Sequence, residues 1–207
     1  MNKVKKSLIN NFKALFWALI IAGLIRTFAI EPFKIPSGSM KPNLLVGDFL
    51  FVSKWDYGYS RYSFPFGLAP FKGKIFESSP KRGDIIVFKL PGQENINYVK
   101  RLIGLPGEKV KVLNGEVYIK KINSSDFELL DQVEDGLFFD DQYGTDIQQL
   151  IENEYKILNI TNDGPLDYTP EYEIPKDKFF FMGDNRDNSS DSRILSGVGF
   201  VPKVNIV

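Results

Sequence analysis

Hydrophobic residues along the chain form one long run and, after it, only short ones. Residues 14–30, ALFWALIIAGLIRTFAI, carry one charge, Arg26, and nothing polar between Ala14 and Ile25. A helix that crosses a bilayer needs about 20 apolar residues, with roughly 17 as the lower limit. Lys3, Lys5, Lys6 and Lys13 precede the run, and Arg26 lies near enough to its far end for the guanidinium to reach an interface. The pattern predicts a membrane anchor over residues 1–30, crossing once, with its lysine-rich end in the cytoplasm. Two other readings compete. A cleaved secretory leader is suggested by Thr27, Phe28 and Ala29, although Arg26, Phe28 and Pro32 are poor neighbours for a cut. A buried core helix is the second, and the flanking lysines speak against it.

Beyond residue 31 the short apolar runs alternate with Gly, Pro, Asn and Ser, which predicts a mainly β fold with little helix. Residues 48–54 read as a strand, and residues 81–91 as a turn followed by one. Residues 96–121 read as strand, tight turn and strand, then a hairpin at Asn114-Gly115. Residues 124–176 are acidic and aperiodic, the mark of an insertion of short strands and loops. Residues 176–193 return to a buried strand that ends in a polar loop. The expected organisation is an anchor (1–30), a core in two parts (31–110 and 176–207) and an inserted β-rich subdomain (111–175). The loop 56–73 is dense in Tyr, Phe, Gly and Pro; packing over a β core and contact with lipid account for it equally.

Composition narrows the chemistry. Acidic and basic residues balance at 26 each, so no broad positive field draws the chain to nucleic acid. The chain has no Cys and no His. Thiol nucleophiles, thiolate metal sites, Ser-His-Asp triads and the common zinc-hydrolase ligand sets are therefore excluded. A serine nucleophile here would need a lysine or a carboxylate as its base.

Two stretches supply candidates. In IPSGSMKP, Ser37 and Ser39 sit on a tight turn just after the apolar run; turn chemistry alone explains them, as does a nucleophile held above a membrane. In YVKRLI, strand alternation puts Tyr98, Lys100 and Leu102 on one face and Val99, Arg101 and Ile103 on the other. Both faces are largely apolar. A lysine desolvated there would have its amine pushed below the usual value of about 10.4 and could accept a proton, although most strand lysines are simply solvated. The polar loop GDNRDNSSDSR hints at a calcium loop, but Ser192 stands where the required Gly would fall and Val198 where the bidentate Glu would. It reads instead as a turn with local side-chain bonds, or as a support for a neighbouring base.

Taken together, residues 31–48 (EPFKIPSGSMKPNLLVGD), 82–88 (RGDIIVF), 98–110 (YVKRLIGLPGEKV), 182–193 (MGDNRDNSSDSR) and 199–202 (GFVP) resemble the bacterial type I signal peptidases. These are membrane-bound Ser-Lys proteases that cut leader peptides from exported proteins. The stretches occur in the family's order, after an anchor in the family's position. The resemblance implies that Ser39 is the nucleophile and Lys100 its general base. It implies that the Ser37 hydroxyl joins the Ser39 N–H in the oxyanion hole, that Ser189 positions the base, and that Asp191 and Arg193 form a supporting ion pair. Phe33, Ile35, Met40, Leu44, Tyr98 and Val99 fall where the family lines its pockets for small residues. The implied partners are preproteins with signal peptides and the lipid bilayer, and no metal or organic cofactor is implied. The implied location is a bacterial plasma membrane, with the catalytic part outside the cytoplasm.

Three departures stand out. Asn43 replaces the family's usual Thr, residues 194–199 (ILSGVG) lengthen a loop near the base, and the chain stops at VPKVNIV where the family commonly continues. Two further function classes remain. A self-cleaving Ser-Lys regulator would be soluble and carry a DNA-binding segment. A membrane-tethered β-domain that only binds partners would have no use for Ser37, Ser39, Lys100 and Ser189 in these settings.

Overall fold

The computed structural model describes residues 3–64, 71 and 73–207. Helix α1 (Lys3–Phe28) is about 39 Å long at 1.5 Å per residue, enough to exceed a hydrocarbon core of roughly 30 Å. Apart from Phe28 at its end, whose ring packs edge-on against Tyr59 and Phe64, its large apolar side chains are exposed among the described residues: Phe12 is 70 % exposed and Trp17 59 %. The buried-core-helix reading is thereby corrected, because a soluble core helix would cover such residues. The remainder is β-structure with single 3-10 turns, all of its strand ladders antiparallel among the described residues.

Strands β1 (Ile30–Lys34) and β2 (Phe49–Ser53) pair directly after the helix. Glu31 anchors that junction by receiving Arg26 at 3.1 Å and the buried Lys54 at 2.7 Å. The central sheet combines β3 (Ile85–Leu90), β4 (Gln93–Gly104), β12 (Lys178–Met182) and β13 (Val201–Pro202), in the order β13-β12-β4-β3. It is apolar on both faces. Leu102 packs with Ile86, Phe88 and Phe181 on one side, where the rings of Phe88 and Phe181 stack at 4.7 Å. Ile103 packs on the other with Val110, Ile119 and Phe180. Full burial of side chains of this size contributes roughly 1.5–3 kcal/mol each. The final residues close the first cluster: Ile206 is buried and the Val207 N–H donates to the Val87 carbonyl at 3.0 Å.

Residues 111–175 divide between two sheets. β5 (Lys109–Leu113) and β6 (Glu116–Lys120) form the hairpin at Asn114-Gly115, where both residues take positive φ (54° and 77°), as an Asn-Gly turn between twisted strands requires. With β7 (Glu128–Leu129) and β11 (Tyr172–Glu173) this hairpin makes a sheet that supplies the second apolar cluster. A separate sheet contains β8 (Gln132–Asp140), β9 (Thr145–Glu152) and β10 (Tyr155–Asn159). β8 and β9 are nine and eight residues long, longer than the short strands expected there. Their alternation is hidden by a register shift between Glu134 and Leu137, with Gly136 at φ 98°.

Residues 65–70 and 72 of the aromatic loop lie outside those described. In the rest of it, the Tyr59 hydroxyl donates to the Phe28 carbonyl at 2.7 Å and Tyr57 donates to Asp84 at 2.8 Å. A cavity of about 780 Å³ opens where α1 meets the sheets, bounded among others by Arg26, Glu31, Lys54, Arg61 and Lys89. None of the candidate catalytic residues lines it.

Candidate active site

Residues Gly38–Met40 form one 3-10 turn, entered from Ser37 in an extended conformation (φ −134°, ψ 154°). The first N–H groups of such a turn have no partner inside it and point outward as donors. Ser39 is buried while Ser37 is exposed, and their hydroxyl oxygens lie 3.3 Å apart. The Lys100 amine is hydrogen-bonded to the Ser39 hydroxyl. Lys100 reaches it from the middle of the central sheet, opposite Ile86 on β3, with the amine 5.5 Å from the Tyr98 ring centre.

Lys100 is 3 % exposed. Burial pushes its ammonium down to about 8, even though the carboxylates of Asp191 and Asp184 pull the other way; Arg193 reinforces the depression. Near neutral pH a minority of such an amine carries a lone pair, far more than in an ordinary lysine. An amine of this kind, bonded to a serine hydroxyl beside outward N–H donors, can take the serine's proton without a histidine.

The loop after β12 holds this arrangement. The Asn185 N–H donates to the Ser39 carbonyl at 3.1 Å and its side-chain amide to the Gly38 carbonyl at 3.2 Å. Asp191 and Arg193 are fully buried and joined through two bonds of 2.9 Å, and Asp191 also accepts from the Gly183 N–H at 3.0 Å. The Arg193 guanidinium holds the Asp191 carboxyl below the usual carboxylate range against the opposing effect of burial. Ser189 lies beside Gly183, but its hydroxyl has no partner among the described residues and makes no bond to Lys100. Of the six residues assigned to substrate pockets, Ile35 and Met40 are buried, and Phe33, Leu44, Tyr98 and Val99 are half-buried.

Several residues at the site escaped the sequence reading. Arg101, on the opposite face of β4 from Lys100, makes a bidentate pair with Asp184 at 2.7 and 2.6 Å. Its guanidinium lies 3.9 Å from the centre of the Tyr155 ring. Asn43 donates to the same Asp184 carboxylate at 2.7 Å and to the Lys156 carbonyl at 2.7 Å, so the residue that departs from the family's Thr fastens the serine turn to its surroundings. The available signal was a second cation on an apolar strand; its partner lies 83 residues away.

The model of the family described as signal peptidase, peptidase S26, matches residues 8–207 of this chain. The signal peptidase I of Rickettsia akari (strain Hartford) is 40 % identical over 203 residues, which cover 92 % of this chain and 73 % of that protein. That of Rickettsia canadensis (strain McKiel) is 37 % identical over 216 residues, covering 98 % and 78 %. A crystal structure of a signal peptidase I from Enterococcus faecalis V583 covers 62 % of this chain and 94 % of its own, at 26 % identity and a TM-score of 0.37.

Proposed function

From the premise that the chain belongs to the signal peptidase family, peptidase S26, we propose that Ser39 and Lys100 are the dyad with which it removes signal peptides from exported preproteins. The observation that carries this assignment is the hydrogen bond between a buried lysine amine and a buried serine hydroxyl, in a chain with no His or Cys to do the work.

The reaction then runs in two halves. Neutral Lys100 takes the Ser39 proton as the oxygen attacks the scissile carbonyl carbon. The oxyanion accepts from the Ser39 N–H and the Ser37 hydroxyl, donors of a kind typically worth ~3–4 kcal/mol of barrier each. The Lys100 ammonium returns the proton to the departing amine as the C–N bond breaks, leaving an acyl ester on Ser39. A water, deprotonated by the same amine, attacks the ester and releases the signal peptide with Ser39 restored. The Ser189 hydroxyl, buried beside Gly183, is the donor proposed to orient Lys100 while the amine is neutral. Asp191 and Arg193 stiffen the loop that carries it.

The 3–28 helix is the proposed single bilayer crossing, which would hold the catalytic part at the extracytoplasmic face of a bacterial plasma membrane. The test is incubation of the purified chain with a preprotein in detergent. One new N-terminus is expected, following a small residue. Ile35 and Met40 are buried beside the turn, leaving little room for a large side chain before the cut. Ala is therefore expected both immediately before the cut and two residues earlier. Replacing the first by Phe should lower kcat/KM by at least ~100-fold, since steric exclusion adds to the few kcal/mol available from fit. Efficient cleavage after Phe would contradict the pocket assignment.

The pH dependence follows from Lys100. Catalysis requires the neutral amine, so kcat/KM for a leader-type peptide should rise with pH and level off above the depressed value of about 8. A limb centred instead near the ordinary lysine value would mean that Lys100 is solvated in the working enzyme.

A further inference from the structure

The side chain that follows the catalytic turn does not run to solvent. Lys41 is 3 % exposed, and its ammonium donates to Asp140 Oδ1 and to Asp141 Oδ1, both at 2.9 Å. Asp140 is fully buried at the end of β8, while Asp141 is exposed on the turn to β9. On the way, the lysine stem folds back against the turn. A Cβ placed on Gly38 would lie 3.3 Å from Lys41 Cδ and Cε, and 3.6 Å from the amide oxygen of Gln142. The tip of the β8–β9 hairpin thus stands where any side chain on the residue between Ser37 and Ser39 would meet it.

The other end of the same hairpin is fixed independently. Glu152, the last residue of β9, is fully buried in a bidentate pair with Arg186, and receives Gln132 at 2.8 Å and Tyr155 at 2.7 Å. Arg186 follows Asn185, whose N–H holds the Ser39 carbonyl. One hairpin therefore grips the serine turn from two sides, through Asp140 to Lys41 and through Glu152 to the 185–186 loop. A buried ion pair is weak evidence of net stability, because desolvation offsets its attraction; its best-attested use is to fix one arrangement among several.

We propose that Lys41, acting through Asp140, is a positioning residue that locks the Ser37–Gly38–Ser39 turn in the orientation the oxyanion needs. The proposal rests on Ser39 being the nucleophile. The pair touches neither the scissile bond nor the residues assigned to side-chain selection other than Met40, its neighbour in sequence. Its loss should lower turnover and leave substrate affinity nearly unchanged.

The experiment compares Lys41→Met, Asp140→Leu and the double variant in the full chain, using a leader peptide in detergent. Lys41→Met leaves Asp140 buried without its partner, and Asp140→Leu leaves the buried Lys41 ammonium only the exposed Asp141, so each single variant should melt lower. The double variant replaces the pair with apolar groups and should regain Tm. Positioning predicts that kcat in the double variant stays ~10–100-fold below wild type, the scale of loss for a misaimed catalytic group, with KM within about twofold. Wild-type kcat in that variant would overturn the proposal. Should the double variant not fold, Asp140→Asn decides, since it keeps the shape of the aspartate: a loss of at least ~3-fold in kcat at unchanged KM is expected, and full turnover overturns the proposal. Ser39→Ala, measured alongside, separates the two readings. If it still cleaves, the dyad assignment itself falls; if it is dead while the clamp variants are fully active, only the clamp falls.

Discussion

Lys100→Arg should leave less than ~1/10,000 of wild-type kcat/KM, the scale on which loss of a catalytic base is felt in serine hydrolases. Arginine preserves the charge and most of the length, but its guanidinium stays protonated and cannot accept the Ser39 proton. Ser39→Ala should fall to the same floor. The loss must be chemical rather than structural, and a third variant makes that visible. Lys100→Met removes the buried ammonium altogether. The sign follows from the depressed folded value. The cost of burying the charge is present in full below about pH 8, fades as pH rises from there toward the ordinary value of 10.5, and is absent above it. At about 1.36 kcal/mol per pH unit, Lys100→Met should therefore be more stable than wild type by about 3 kcal/mol at neutral pH. That gain should shrink toward zero as pH approaches the ordinary lysine value. Denaturant melts of the two proteins across this range measure it directly. Substantial cleavage by Lys100→Arg would end the dyad assignment. An inactive Lys100→Met that is also less stable would end the burial argument.

The second large effect is expected at a residue with no side chain. A Cβ on Gly183 would sit 2.5 Å from Ser189 Cβ and 2.6 Å from the Ser39 carbonyl oxygen, closer than real contacts allow. The obstacle is space rather than backbone strain. One neighbour is the main chain of Ser39, the proposed nucleophile, and cannot rotate away. Gly183→Ala should cost ~1–3 kcal/mol of stability, the usual range for overpacking. It should also lower kcat by ~100-fold, because the shift falls on the atoms that aim Ser39. Thermal melting and steady-state kinetics on one preparation test both parts. A variant with wild-type Tm and wild-type kcat would show that the 183–189 loop and the serine turn move apart without consequence.

The legible parts of this chain are those governed by local rules. The apolar run, the Asn114-Gly115 turn and the alternation along β4 each follow from residues close together in sequence. Leu102 and Ile103 accordingly enter opposite apolar clusters. The settings of Ser37, Ser39 and Lys100 make them candidates but leave a turn and a solvated strand lysine open; the resemblance selects them, and the fold brings them together. What stayed hidden depends on pairing across distance. Lys41 and Asp140 are 99 residues apart, and neither is unusual where it stands. Glu152 looked like one more acid in an acidic segment until Arg186 gave it a buried partner. Asn43 was judged by the residue it replaces and not by Asp184, its partner in space.

The edge of β10 has a further consequence. The Leu158 N–H donates to the Asp184 carbonyl at 2.8 Å, and the Arg186 N–H returns a bond to the Leu158 carbonyl at 3.0 Å. Those two amides tie the edge of the β10-β9-β8 sheet to the 184–186 loop beside Ser39, so neither can exchange with solvent deuterium unless that link opens. The β8–β9–β10 sheet and the 184–186 loop are therefore expected to open together, which equal exchange rates of the Leu158 and Arg186 amides would show. Heat that frays β10 would silence the enzyme while the paired strands β3, β4 and β12 are still protected, and its working half-life would be set by the fraying of a segment that carries no catalytic group.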